Sequence, residues 1–199
     1  MKVYISIILF LSSLLVKAQD QTVSTGDSIQ QEISNRYQIY IAPTYTINQF
    51  VETGASFAGI GLGFVFKDRI DLSVSYSQIL DSFKKQIIFP SRHRFDQSNV
   101  GLHGQYSFLN QRIRPHVGFG VQYGMVTWEP EHDSNDTFTD SIYIFNLIVG
   151  ANWALNKTVT LQANGGYNFT QDVEIVGLES KDFDGFRIDV LLKIRLLNF

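Results

Sequence analysis

From Arg36 onward apolar and polar residues alternate with period two, and the pattern recurs eight times. Alternation of this kind marks strands that present one apolar face. The runs are RYQIYIAPTYT (36–46), FAGIGLGFVF (57–66), IDLSVSYS (70–77), NVGLHGQYSF (99–108), HVGFGVQYGM (116–125), IYIFNLIVGANWAL (142–155), TVTLQANGGYNFT (158–170) and FRIDVLLKIRLLNF (186–199). In the sixth run one side carries Tyr143, Phe145, Leu147, Val149, Ala151 and Trp153. Its other side mixes Asn146 and Asn152 with Ile144 and Ile148, which leaves its register open. Connections alternate in length: short at 67–69, 109–115 and 156–157, long at 47–56, 78–98, 126–141 and 171–185. Short turns at one end and long loops at the other describe an all-β, eight-stranded antiparallel up-and-down barrel, closed because closure removes the sheet edges. Pro43 lacks a ladder donor and predicts a bulge in the first strand.

Alternation alone does not say which face meets solvent. A soluble barrel turns its apolar face inward, whereas a membrane barrel turns it toward lipid. The polar faces here are rich in glycine, serine and amides, as in Gly59, Gly61, Gly63 and Gly118, Gly120, Gly124, which suits a narrow lumen better than a hydrated surface. No charge falls on an apolar face in these registers. Aromatic residues gather at strand ends, with Tyr45, Tyr76, Trp128, Tyr143, Phe169 and Phe186 near the long loops. Phe66, Phe108, Trp153 and Phe199 lie near the short turns, so two interfacial belts are expected with lipid outside.

Ahead of the strands, Met1-Lys2 and the apolar stretch 3–16, followed by Lys17-Ala18-Gln19, have the organisation of a cleaved signal peptide over 1–18. The stretch is too short to span about 30 Å of hydrocarbon as a helix. A polar lead-in occupies 19–35 and the barrel 36–199. Of 199 residues 18 % are charged and 14 % aromatic, the formal net charge is −3, and cysteine is absent. These values disfavour disorder and nucleic-acid binding, and they exclude disulfides, thiolate catalysis and cysteine-based zinc sites.

The signal end at Ala18-Gln19, the eight alternating runs of 36–199 and the terminal Phe199 together resemble the small eight-stranded outer-membrane β-barrel family. That family includes the OmpA transmembrane domain, OmpX and OmpW, with the Bacteroidetes-type outer membrane protein beta-barrel domain especially close. The resemblance implies a monomeric, porin-like, multi-pass protein of the cell outer membrane, with short turns in the periplasm. Outer-membrane lipids and lipopolysaccharide would surround it. The barrel assembly machinery would read Phe199 on the last strand. Phe199 shares parity with Lys193 and Arg195 rather than with Ile194 and Leu196, which implies a bulge near Leu196–Asn198.

Candidate chemistry is sparse. His103 and His116 face the lumen on neighbouring strands, but their register separates them by about 13 Å, too far for one metal. Asp71, Arg187, Asp189, Lys193 and Arg195 also face inward and must be paired. Asp71 is expected to meet Arg195 near the short turns, and Asp189 to serve Arg187 or Lys193. Together these seven residues form an expected lumen polar network. In the acidic loop 129–140, Asp133, Asp136 and Asp140 are the candidates for a surface cation site, although the segment lacks the glycine and terminal glutamate of a calcium loop. The basic, aromatic segment 83–95 is a candidate contact for lipopolysaccharide phosphates or a partner strand. GIGLGF (59–64) lacks the spacing of a phosphate-binding loop. Ser91 with His93, and His132, are the loose candidates for catalysis, without a recognisable motif. The expected function is structural support or binding through four long loops around a packed, non-conducting lumen, with no enzymatic activity, no cofactor and no metal. The alternatives are an outer-membrane lipid-modifying enzyme with a Ser/His/acid rim site and a soluble lipocalin-like barrel holding an apolar ligand.

Overall fold

The computed structural model describes residues 37–50, 53–80, 93–108, 112–130, 138–174 and 179–198. The expected signal peptide and lead-in, most of the segment 83–95, and Ser91, His132, Asp133, Asp136 and Phe199 lie outside the described residues. Eight strands follow in chain order: β1 (Tyr37–Phe50), β2 (Thr53–Phe66), β3 (Ile70–Ile79), β4 (His93–Ser107), β5 (Ile113–Pro130), β6 (Phe138–Ala154), β7 (Val159–Gln171) and β8 (Gly185–Asn198). Each pairs antiparallel with the next, and β1 pairs with β8, so the sheet closes on itself.

The alternating faces point as the polarity pattern predicts. Leu62, Leu72, Leu102, Phe119, Leu147, Val149 and Ile188 are exposed on the outside, while Asn99, Gln122, Asn146, Gln162 and Asn164 are buried within. The register of β6 is thereby fixed: Tyr143, Phe145 and Leu147 face out, and Ile144, Asn146 and Ile148 face in. An inward apolar face, which a soluble barrel binding an apolar ligand requires, is not the arrangement found. Rings pack into rows on the outside, as with Tyr37 stacked against Phe64 (centroids 5.5 Å apart) and Tyr167 edge-on to Phe186 (5.3 Å).

Two expectations are corrected and a third is met. First, β1 and β2 continue to a closing pair Phe50↔Thr53, so the connection expected over 47–56 shrinks to residues 51 and 52, and the barrel has three long connections rather than four. β4, β5 and β6 also run past their expected limits, with pairs such as Gln97↔Val126 and Val126↔Asp140. Outside the apolar band both faces of these strand ends are polar or mixed, so the hydrophobic pattern lapses while the hydrogen-bonded ladder continues. Second, Pro43 produces no register shift. Pairing with β8 lapses across residues 42 and 43 and resumes in the same register, from Ile41↔Ile194 to Thr44↔Leu191. Third, the bulge lies near the other end of that seam. Ile39 pairs with Leu197 and Tyr40 with Arg195, which makes Leu196 the extra residue, and Leu196 and Leu197 are both exposed. That position agrees with the bulge implied by the parity of Phe199.

Candidate functional site

The barrel interior gathers the chemistry of this chain. Two of its ion pairs lie toward the short turns, where β3, β5 and β8 approach one another, and a third, Arg187–Asp189, lies nearer the middle of the barrel. Lys193 of β8 forms a buried ion pair with Asp71 of β3, and Asp71 also accepts a hydrogen bond from the Tyr40 hydroxyl at 2.6 Å. The sequence reading matched Asp71 with Arg195. The lysine, one inward position further from the end of β8, is the partner found. Tyr40 reaches Asp71 by lying across Gly63, its paired residue on β2. A Cβ at Gly63 would collide with the phenol ring, so this glycine is required by close approach.

Asp189 accepts a forked pair of bonds from Arg187 (Nη2 at 2.7 Å, Nε at 3.1 Å) and another from Thr46 Oγ1 at 2.7 Å. Asp68, in the turn between β2 and β3, accepts bonds from Gln38 Nε2 at 2.9 Å and Arg114 Nη1 at 3.2 Å. The described interior ion pairs thus balance three carboxylates, Asp68, Asp71 and Asp189, against Arg114, Arg187 and Lys193. Neutralisation by direct pairing is what a low-dielectric interior demands of ionised side chains.

The histidines belong to two separate clusters. His116 is buried and contacts Asn164 Oδ1 at 2.9 Å through Nε2 and Asn152 Nδ2 at 3.2 Å through Nδ1. Gln162 extends this amide chain to Asn164 (2.9 Å) and across the lumen to Gln105 (3.1 Å). His103 lies against Ser75 Oγ at 2.9 Å, over Gly120. The ladder sets His103 opposite Gly120 and His116 opposite Ser107, four residues apart along β5, and the two rings share none of these partners. No cluster of three or more potential metal ligands occurs among the described residues.

Toward the long loops the interior changes character. Ala55, Phe57, Ile79, Val126, Ile142 and Ile144 point inward and pack together, and Phe183 from the β7–β8 connection completes the cluster. A 3₁₀ turn over Ser180–Asp182 delivers Phe183, whose carbonyl accepts a bond from Thr170 Oγ1 at 3.3 Å, while Asp184 receives the Thr170 amide at 2.5 Å. At the opposite end a cavity of about 30 Å³ remains among Gln38, Tyr40, Asp68, Asp71, Arg114 and Lys193. That is room for about one water molecule. Asp140, one of the candidate cation ligands, accepts backbone N–H groups of Ser141 (2.7 Å) and Glu174 (2.8 Å), one on each oxygen.

The sequence reading placed six of its seven network residues in this interior with described partners. Arg195 also interacts with a neighbour and borders the small cavity. It overlooked Tyr40, Asp68, Arg114, Gln162 and Asn164. Parity would have flagged Tyr40, Gln162 and Asn164, because each alternates with outward apolar residues. Asp68 lies in a turn, where parity carries no information.

No family model matches the sequence, and no curated protein matches it. Solved structures share its fold at low sequence identity. Neisserial surface protein A matches with a TM-score of 0.60 at 13 % identity, covering 80 % of this chain and 97 % of that one. The N-terminal β-barrel domain of Pseudomonas aeruginosa OprF matches with a TM-score of 0.56 at 15 % identity, covering 81 % and 97 %. Ail, the attachment invasion locus protein of Yersinia pestis, matches with a TM-score of 0.51 at 10 % identity, covering 83 % and 99 %. The chain therefore has the fold of the small eight-stranded outer-membrane barrels.

Proposed function

We propose that this chain is an integral outer-membrane barrel whose interior does not conduct solutes and whose role is exercised at the long-loop end, as structural support or as a binding surface. The observation that carries this reading is the filled interior. Three neutralising ion pairs and a chain of amides occupy its middle and lower parts, and an apolar cluster capped by Phe183 occupies its upper part. An eight-stranded barrel is only wide enough for its own side chains. The outward band of Leu, Ile, Val and Phe, bordered by Tyr45, Tyr76, Tyr123 and Tyr143 at one end and Tyr37, Tyr106 and Trp153 at the other, supports placement in lipid.

In that setting the barrel is a monomer among outer-membrane lipids and lipopolysaccharide, inserted by the assembly machinery, and it performs no catalysis. The long-loop end supports a binding role because β4, β5 and β6 extend beyond the apolar band, where Gln78, Asp96, Ser98 and Thr127 line a polar outer recess. The test is single-channel recording of the purified, reconstituted protein in a planar bilayer. The expected trace shows no discrete conductance steps, and reproducible steps that scale with the number of inserted barrels would overturn the non-conducting reading.

A further inference from the structure

The short-turn end of the barrel carries exposed charge of one sign. Lys67 and Arg69 lie in the β2–β3 turn, Arg112 precedes β5, and Lys157 lies in the β6–β7 turn; all four are exposed. The single acid within these described turns, Asp68, is 2 % exposed, because its carboxylate turns inward to Gln38 and Arg114. No exposed carboxylate accompanies the four cations among the described residues of this end. At the opposite end the described residues of the β7–β8 connection are mostly acidic: Asp172, Glu174, Glu179, Asp182 and Asp184 against Lys181.

Two further observations give the cationic ring a setting. It lies one step beyond the aromatic row that closes the outer apolar band. The Lys67 ammonium is 5.2 Å from the centroid of the Phe66 ring, which in turn packs on Tyr37. Tyr106, Phe108 and Trp153 continue that row toward Arg112 and Lys157. The β2–β3 turn is also strained. Phe66 O accepts the Arg69 amide at 3.0 Å, and both central residues, Lys67 (φ 49°) and Asp68 (φ 54°), adopt the left-handed conformation that turns of this type usually assign to Asn-Gly. The buried Asp68 holds the turn in that form, and the form projects Lys67 and Arg69 outward.

From this placement we propose that the short-turn face binds the headgroup phosphates of anionic glycerophospholipids in the leaflet it borders. The proposal rests on the membrane reading above. Cations just outside an interfacial aromatic row lie at the depth of lipid phosphates, where each contributes measurably to attraction by an anionic surface. An anionic polymer in bulk water would meet the same charges but has no reason to favour the aromatic boundary.

Trp153, exposed at this boundary, reports the lipid beside it. In a Trp128→Phe background it is the sole tryptophan. The full chain is reconstituted in vesicles that mix phosphatidylglycerol and phosphatidylcholine equally, with bromine carried near the headgroup by one lipid or the other. At low salt, brominated phosphatidylglycerol is expected to quench Trp153 several-fold more effectively, and the preference should shrink at high salt. Neutralising Lys67, Arg69, Arg112 and Lys157 to Gln should remove it, each cation accounting for up to roughly fivefold. Equal quenching by both lipids in the chain with its cations intact, at low salt, would overturn the proposal and leave the membrane reading standing. Absence of quenching by either lipid would overturn the membrane reading as well.

Discussion

Lys193 and Asp71 meet in the interior although β1 and β2 lie between their strands. The pair therefore ties together four consecutive strands across the β1–β8 seam, where the barrel closes on itself. Removing one partner leaves an uncompensated buried charge, which costs about 3–5 kcal/mol. Asp71→Leu and Lys193→Met should each lower stability by roughly that amount and slow refolding. The double variant should recover most of the loss, because two apolar side chains of similar volume leave no orphan charge. Urea unfolding of the reconstituted protein, followed by the heat-dependent gel mobility of folded barrels, measures all three. Single variants as stable as the parent would show that the pair is not a structural requirement.

Tyr40 and Gly63 should behave as a coupled pair. Gly63→Val places methyl groups where the Tyr40 ring lies, and overpacking of this kind costs about 1–3 kcal/mol. Tyr40→Phe removes the hydroxyl from Asp71, at about 1.5–3 kcal/mol for a bond to a charged group. In a Tyr40→Ala background, Gly63→Val should be nearly neutral, a non-additivity that a double-mutant cycle reads directly. Strict additivity would contradict the described contact.

The two left-handed residues of the β2–β3 turn should respond in opposite directions. Lys67→Gly relieves a conformation that costs a non-glycine residue about 1–2 kcal/mol, offset in part by the greater freedom of the unfolded chain. Its stability should be unchanged or slightly raised. Asp68→Gly relieves the same strain but strands Arg114, and should be destabilising by about 2–4 kcal/mol. Thermal unfolding of the two variants in the same detergent compares them.

Phe183 docks a long connection onto the barrel mouth. Phe183→Ala should release residues 179–184 while leaving the strand ladder intact, since the other six members of the apolar cluster belong to strands. Amide hydrogen exchange of that connection is expected to rise toward the rate of free peptide, with little change in exchange of β6 and β7. Slow exchange retained in the variant would contradict the docking role.

How much of this was legible in the sequence follows from period two. Where one strand face meets lipid and the other a polar interior, every second residue announces its direction, so Leu102 and His103, or Ile194 and Lys193, declare opposite faces from the sequence alone. The pattern fails where that contrast ends. Residues 47–50 and 126–130 continue their strands, but both of their faces leave the apolar band, and they read as loop. Partner choice was less legible than direction. Asp71 faces Lys193 rather than Arg195 because of the stagger between β8 and β3 around the barrel, which depends on the Leu196 bulge and on the register of each intervening pair. The apolar cluster around Phe57 and Ile144 was hidden for a related reason. Its members interrupt faces that are otherwise polar, which blurred the register of β6 until its neighbours fixed it.

The central claim is that the apolar faces lie against lipid and the polar faces against one another. The chain has no cysteine, so Leu147→Cys provides a unique attachment point at the middle of the outward face of β6. A nitroxide placed there in the vesicle-reconstituted protein should collide frequently with dissolved oxygen and rarely with a water-soluble nickel chelate. Collision with the chelate as frequent as at a water-exposed loop position would place this face in water and contradict the account.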